Sequence, residues 1–131
     1  MAMADRNGLP ISAWIASGER AECHLVTETL DVRFTEEAPE KLIGDRAFDS
    51  DALDVELAQD YGVELIAPNR RGRRRTQDGR PLRRYRRRWK IERLYAWLFR
   101  NRRLVTRWEH KSLNFLGFLL TGCLVILLRR L

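Results

Sequence analysis

The chain has 131 residues, 44% of them hydrophobic, and carries a net charge of +7 with an isoelectric point near 10.2. A chain of this length can form one domain with a modest core, and its hydrophobic content excludes wholesale disorder. The strong positive charge favours a polyanionic partner, either nucleic acid or an anionic membrane surface.

The charge is divided unevenly along the chain. Residues 1–68 hold 5 Lys and Arg residues against 15 Asp and Glu, whereas residues 69–111 hold 18 against 3. We therefore divide the chain into an acidic α/β part (1–68), a basic loop (69–81) and a helical part (82–131). Cys23 and Cys123 match no metal or redox spacing, and the N-terminal sequence has no secretory signal. Reduced cysteines in a cytosolic protein are therefore expected.

The first predicted elements are a turn, a strand and a helix. Asn7-Gly8 is a strong turn signal, and β-forming residues follow it. We expect a strand from about Ile11 to Ala16. The apolar spacing between residues 25 and 34 then predicts a helix.

A strand, a helix and another strand are predicted next. Leu42-Ile43 indicates a short strand that ends at Gly44-Asp45. Ser50 or Asp51 can cap the following helix, and Gly62 suits its C-terminal end. Residues 63–68 predict a strand that Pro68 stops. Alternating strands and helices are typical of an α/β fold. The apolar stripe of the predicted helix consists of Leu53, Leu57 and Tyr61.

The basic half is predicted to be helical. Apolar spacing indicates a helix from about Leu82 to Arg107, with a break near Asn101. The apolar run Phe115–Leu128 follows Ser112, which suits an N-cap. This run is shorter than the roughly 18–20 residues that a membrane-spanning helix needs. We favour a buried core helix and no membrane contact, with a membrane anchor as the alternative.

Asp45 is the first candidate site residue. It follows an apolar strand, and ligands of open α/β sheets bind beyond the carboxyl ends of the strands. A carboxylate there suits a hard cation such as magnesium. An Asp in this position also commonly caps the next turn, so both roles stay open.

Glu92 is the second candidate, because it is the one acid in a stretch dense with Arg and Lys. Arg88 lies four residues earlier, so the two can form an exposed ion pair on one helix face. A metal-binding carboxylate beside a phosphate-binding surface is the other interpretation, and it also explains why the surrounding residues are cationic.

The basic segment predicts a DNA-binding surface. Residues 69–111 contain 16 Arg and 2 Lys, interleaved with aromatic residues. Arg forms forked contacts with phosphate and stacks on aromatic rings. A solvated helix face is the alternative. The predicted contacts are Arg70, Arg71, Arg73, Arg74, Arg75, Arg86, Arg87, Arg88, Lys90 and Arg93.

The segments KLIGDRAFDSDAL and RRYRRRWKIERLYAWLFRNRRLVTRWE resemble the DDE transposases of bacterial insertion sequences. DRNGLPISAWIASGE and the hydrophobic segment before the final Arg-Arg-Leu fit the same family. The resemblance therefore spans nearly the whole chain. Its most specific part is Tyr85, followed three residues later by Arg88 and four residues further by Glu92.

The resemblance implies a ribonuclease-H-like fold, in which a mixed sheet with flanking helices presents three acids to two Mg²⁺ or Mn²⁺ ions. In the family's reaction, water cleaves DNA at a transposon end, and the freed 3′-hydroxyl attacks target DNA. Asp45 corresponds to the second acid and Glu92 to the third. The implied partners are transposon-end and target DNA in the bacterial cytoplasm, at the nucleoid. The resemblance adds Tyr85, Arg102 and Arg103 as DNA-contacting residues and also includes Arg88.

The family's first acid lies on a first strand that has no counterpart here, since Asp5 belongs to the turn before the next strand. We therefore expect an incomplete ribonuclease-H-like fold with that strand missing. The chain would be the C-terminal part of a catalytic domain whose partner is an upstream transposase portion, and it could form a homo-oligomer. We expect weak metal binding and no catalysis by the chain alone. The alternative is a non-catalytic DNA-binding remnant of a transposase.

Overall fold

The computed structural model describes residues 1–72 and 86–130, which form a mixed α/β structure. Strands β1 (Ala2–Ala4) and β2 (Pro10–Ala13) pair antiparallel, and β3 (Lys41–Ile43) and β4 (Glu64–Ile66) pair parallel. The predicted α/β class is therefore confirmed. The helices are α1 (Val26–Asp31), α2 (Asp51–Asp60), α3 (Trp89–Leu98), α4 (Arg102–Val105) and α5 (Ser112–Leu128). Two 3₁₀ turns, Glu22–Leu25 and Arg46–Phe48, precede α1 and α2.

The first hairpin is closed by the side chain of Asp5. Its Oδ1 accepts hydrogen bonds from the backbone N–H groups of Asn7 at 2.7 Å and Leu9 at 2.8 Å. Gly8 adopts a positive φ of 79°, which glycine tolerates without steric cost. The predicted turn is present, while the predicted strand is displaced, since β2 ends at Ala13 rather than Ala16.

The β3–α2–β4 unit follows the sequence prediction closely. The Ser50 hydroxyl accepts a hydrogen bond from the backbone N–H of Leu53 at 3.4 Å and caps α2. Leu53 and Leu57 are buried, and Gly62 ends the helix region at a φ of 65°. This short crossover brings β4 beside β3 and leaves Asp45 just beyond the end of the strand pair.

The basic half forms three helices within the described residues. The predicted break near Asn101 is present, because α3 ends at Leu98 and α4 begins at Arg102. The N-cap prediction for Ser112 is wrong. Lys111 occupies the cap position without a side-chain cap bond, and Ser112 is the first helical residue. Residues 73–85, which include the start of the predicted helix and most of the basic loop, lie outside the described residues.

Two hydrophobic clusters meet at strand β1. Ala2 packs with α3 and α5 residues such as Leu94 and Cys123, whereas Met3 packs with α1 and α2 residues such as Leu30 and Leu57. Successive residues of a strand point to opposite faces, so this three-residue strand contributes to both clusters. It therefore ties the acidic half to the basic half.

Helix α5 buries only one face. Gly122, Cys123 and Ile126 are buried, whereas Leu113 and Leu128 are 74% and 60% exposed. The expectation of a fully buried core helix is therefore wrong for the outer face. None of the helices in the described part of the chain has the length and apolarity needed to cross a membrane.

Candidate metal and DNA site

Asp45 caps the 3₁₀ turn that follows β3. Its Oδ1 accepts a hydrogen bond from the backbone N–H of Ala47 at 2.8 Å, and the residue is half-buried. The capping role considered for this residue is thus present. Among the described residues, its second oxygen, Oδ2, makes no hydrogen bond, so one side of the carboxylate can accept a ligand.

The turn around Asp45 is packed closely on its strand. The backbone N–H of Gly44 donates to the carbonyl of Ile66 at 3.0 Å, which continues the strand pairing. A Cβ at residue 44 would lie 2.8 Å from Cδ2 of Phe48, so only glycine leaves room for that ring. The hydrogen bond and the close packing of Gly44 therefore fix the backbone position from which the Asp45 side chain extends.

Glu92 lies on the exposed surface of α3, with 62% of its side chain accessible. Its Oε1 is 3.2 Å from Nη2 of Arg88, four residues earlier on the same helix face. The surface ion pair predicted as one alternative is present, and such a pair contributes roughly 0.5 kcal/mol or less. A ligand of the Glu92 carboxylate would therefore replace an ion pair of low energy.

An open cavity of about 960 Å³ lies between the two strand pairs. Asp5 and Asp45 line it, and Arg87, Arg88 and Lys90 line it from the start of α3. Glu92 is not among the lining residues, although its partner Arg88 is. The cavity therefore brings Asp45 and the basic start of α3 to the same space.

The carboxylates of Asp45 and Glu92 are suitable ligands for a hard divalent cation, but two carboxylates do not complete a metal site. Carboxylate oxygens are the protein ligands that Mg²⁺ prefers. Within residues 1–72 and 86–130, no three His, Cys, Asp or Glu residues are grouped closely enough to hold a metal ion. This part of the chain therefore offers Asp45 and Glu92 as separate candidate ligands rather than a finished metal site.

Two predicted DNA-binding residues of α3 contact the β1–β2 turn. Lys90 Nζ donates to the carbonyl of Arg6, and Arg93 Nη2 donates to the carbonyl of Asn7. The Arg93 guanidinium also lies 4.8 Å from the ring centre of Trp89 and 4.9 Å from that of Trp97. These contacts hold α3 against the hairpin, a role that sequence reasoning missed because the partners are backbone carbonyls.

Arg103, predicted from the resemblance, also has a partner within the protein. Its Nη1 lies 2.9 Å from Oε1 of Glu109, and its guanidinium lies 4.9 Å from the Phe118 ring centre. Desolvation raises the pKa of Glu109, but hydrogen bonds from Arg103 and backbone N–H groups outweigh it and leave this pKa below its usual range. Arg103 therefore links α4 to the segment before α5.

Apart from Arg70 and the ion-paired Arg88, the remaining predicted DNA contacts fall into two groups. Some belong to exposed residues whose side chains make no hydrogen bond or ion pair with the described part of the chain: Arg71, Arg86, Arg87 and Arg102. The others, Arg73, Arg74, Arg75 and Tyr85, lie outside the described residues. The open arginines are thus those available to bind phosphate without breaking an internal contact.

Arg70 is a predicted DNA contact that lies against the Asp45 turn. Its backbone N–H donates to Oδ2 of Asp49 at 2.7 Å. Its guanidinium donates to the carbonyl of Arg46 at 3.2 Å and to that of Ala47 at 2.7 Å. No local sequence pattern predicts these contacts, because 21 to 24 residues separate the partners.

Comparisons with known proteins agree with the resemblance. The family model of the transposase DDE domain matches residues 1–128. A Burkholderia cepacia protein named as a candidate transposase for insertion sequence element IS402 is 30% identical over 132 aligned positions. That alignment covers 95% of this chain and 59% of the relative, so the chain spans about three fifths of the relative's length. No solved structure matches the chain significantly. Because the family match extends over almost every residue, the chain belongs to the DDE transposases of insertion sequences.

Proposed function

We propose that this protein acts in DNA transposition as the C-terminal part of a DDE transposase catalytic domain. The family match over residues 1–128 carries the proposal. Asp45 and Glu92 would contribute two carboxylates to a metal site, and the third acid would come from another part of the complete transposase. This function places the protein with DNA at the bacterial nucleoid.

The cavity offers space for the first strand of the family's fold, which this chain lacks. Within the described residues, β1 pairs only with β2 and β3 only with β4, and both β1 and β3 line the cavity. A strand in this space would hydrogen-bond to both edges if β1 and β3 lie about two strand spacings of roughly 4.7–4.9 Å apart. It would join the two pairs into one mixed, ribonuclease-H-like sheet. We propose that the upstream portion of the transposase supplies this strand and, with it, the first acid.

The residues of this chain would then take distinct roles. Bound Mg²⁺ or Mn²⁺ ions would stabilise the attacking and leaving oxygens of a phosphodiester displacement. Asp45 offers its open Oδ2 toward such a site. Glu92 becomes available when Arg88 exchanges it for a DNA phosphate, since the exposed ion pair is weak. The DNA backbone would be held by Arg71, Arg86, Arg87 and Arg102, together with the predicted contacts Arg73, Arg74, Arg75 and Tyr85.

Metal-dependent nicking of transposon-end DNA tests this function. The chain joined to its upstream portion should nick the DNA in Mg²⁺, and the 131-residue chain alone should not. Asp45→Asn and Glu92→Gln in the joined protein should each lower the rate by at least about a hundredfold, because charge-stabilising groups contribute on that scale. Asp60→Asn and Glu56→Gln, which alter exposed carboxylates of α2, serve as matched controls. Full activity of both site variants would contradict the assignment of Asp45 and Glu92.

A second function is favoured by the incomplete donor set. Since the described residues form no group of three metal-binding side chains, while several arginines are open, a non-catalytic DNA-binding protein also fits. Such a protein would bind transposon-end DNA with equal affinity in EDTA and in Mg²⁺. A joined protein that binds DNA but never nicks it would favour this alternative.

A further inference from the structure

We propose that Arg70 is a positioning residue for Asp45, holding the 3₁₀ turn that aims the Asp45 carboxylate, rather than a DNA contact. The inference rests on the proposed function, because it concerns the carboxylate assigned there as a metal ligand. Arg70 lies after β4, at the start of the basic loop (69–81), so its sequence context alone suggests phosphate binding. Its contacts point to a different use.

The guanidinium of Arg70 caps the carbonyl end of the turn. Arg46 and Ala47 expose their carbonyl oxygens there, and Nε and Nη2 of Arg70 donate to them at 3.2 Å and 2.7 Å. The peptide that follows Arg46 carries the Ala47 N–H, which donates to Oδ1 of Asp45 at 2.8 Å. Arg70 and Asp45 are therefore joined through the same turn, one at its carbonyl end and the other at its N–H end.

Asp49 anchors the other side of Arg70. This carboxylate is 5% exposed, and its Oδ2 accepts the backbone N–H of Arg70 at 2.7 Å. A buried carboxylate is costly unless it is hydrogen-bonded, so this contact locks the Arg70 backbone to the end of the turn. With its backbone fixed, the Arg70 side chain has a short path to the two carbonyls.

Because Arg70 holds the turn, Asp45 presents its Oδ2 rather than its Oδ1 to a metal ion. The Ala47 N–H occupies Oδ1, so Oδ2 is directed away from the turn as long as the turn keeps its shape. A turn released from Arg70 would let the Asp45 side chain rotate and lose this orientation. Arg71, the next residue, is exposed and makes none of these bonds, so the two neighbours have different roles despite the same side chain.

Amide exchange measured by NMR on the 131-residue chain tests whether the hydrogen bonds of Arg70 hold the turn. Arg70→Gln should raise the exchange rate of the Ala47 amide by about threefold to tenfold, since each lost hydrogen bond contributes modestly. Arg71→Gln removes the same charge and should leave that rate unchanged. Arg70→Lys keeps the charge but cannot donate from a planar fork, so it should resemble Arg70→Gln. Unchanged Ala47 exchange in Arg70→Gln would overturn the proposal.

Mn²⁺ titration of the same variants separates positioning from simple charge. Loss of a nearby positive charge should tighten Mn²⁺ binding, and this effect acts in both Gln variants. Positioning predicts the opposite sign for Arg70→Gln alone, with weaker Mn²⁺ binding than in the parent and in Arg71→Gln. Asp45→Asn gives the Mn²⁺ response of a protein that lacks the Asp45 carboxylate. Equal or tighter binding in Arg70→Gln would overturn the positioning role. A parent that responds to Mn²⁺ no more than Asp45→Asn would instead contradict the proposed metal role of Asp45, and this inference with it.

Discussion

Gly8 and Gly62 have similar backbone angles but different surroundings. Their φ values are 79° and 65°, both in the left-handed region. A Cβ at Gly8 would lie 2.7 Å from Nη2 of Arg93, whereas a Cβ at Gly62 would meet nothing within 4 Å. The two positions therefore separate backbone strain from the loss of the contact between the first hairpin and α3.

Gly62→Ala should lower the free energy of unfolding by about 1–2 kcal/mol, the cost of a left-handed alanine. Gly8→Ala should cost roughly 1 kcal/mol more, because Arg93 must also leave the Asn7 carbonyl. Urea denaturation of both variants measures the difference. Equal losses would show that the Arg93 contact adds nothing to stability.

Cys123 gives a pH-dependent prediction. Burial raises the pKa of this thiol to about 11. An unfolded thiol loses its proton near pH 8.5, so between pH 8.5 and 11 the folded state binds more protons than the unfolded state. Stability should therefore fall as pH rises through this window, by at most about 1.4 kcal/mol per pH unit.

The free energy of unfolding should be measured between pH 8.5 and 10. This range lies below the one in which Tyr61 contributes, because the hydrogen bond to Asp31 is the chief cause that raises the pKa of Tyr61 to about 12. Cys123→Ala should flatten the pH dependence in this window, whatever its fixed packing cost. Leu57→Ala, a packing change in the other hydrophobic cluster that removes no titratable group, should keep the slope of the parent. Identical slopes in parent and Cys123→Ala would refute the assignment.

At the scale of elements, α3 supports both the core and the candidate site. Leu94 and Leu98 are buried against the hairpin and α5, while the opposite face carries Arg88 and Glu92. The buried face explains why Lys90 and Arg93, both predicted DNA contacts, reach the hairpin carbonyls: they flank the face that packs on the hairpin. The open arginines Arg86 and Arg87 directly precede α3, so the packing of this helix helps to set where they lie.

Leu94→Ala should destabilise the protein by about 2–5 kcal/mol, because Leu94 is fully buried and its loss leaves a cavity. Leu124→Ala is the matched control on α5, where the side chain is 54% exposed, and should change stability by no more than about 0.5 kcal/mol. Thermal or urea unfolding measures both. A large loss in Leu124→Ala would mean that the outer face of α5 is covered in solution.

At the scale of the whole molecule, charge separation should govern DNA affinity. Each phosphate neutralised adds about −0.9 to the slope of log K against log salt on duplex DNA. Replacing Arg86 and Arg102 with Gln should therefore make the slope shallower by up to about 1.8. Arg93→Gln should leave it unchanged, because Arg93 donates to the Asn7 carbonyl. Binding assays across a salt series measure the slopes, and the reverse pattern would show that Arg93 leaves the hairpin to hold DNA.

Local patterns predicted much of the fold. Ser50, the apolar stripe of α2 and Gly62 act within one helix, so the sequence shows them directly. The break at Asn101 was visible for the same reason. The length of β2, the cap of α5 and the exposed face of α5 were mispredicted, because strand pairing and packing partners decide them.

The sequence by itself determined the family, the division into acidic and basic halves, and the identity of Asp45 and Glu92 as candidate ligands. Each of these depends on residue types at fixed spacing. Tertiary structure alone decided which arginines are open and which are engaged, since Arg70, Arg93 and Arg103 bind groups that are distant or lack a side-chain signature. It also decided that β1 and β3 border one cavity, because the position of a strand edge depends on how the two strand pairs pack.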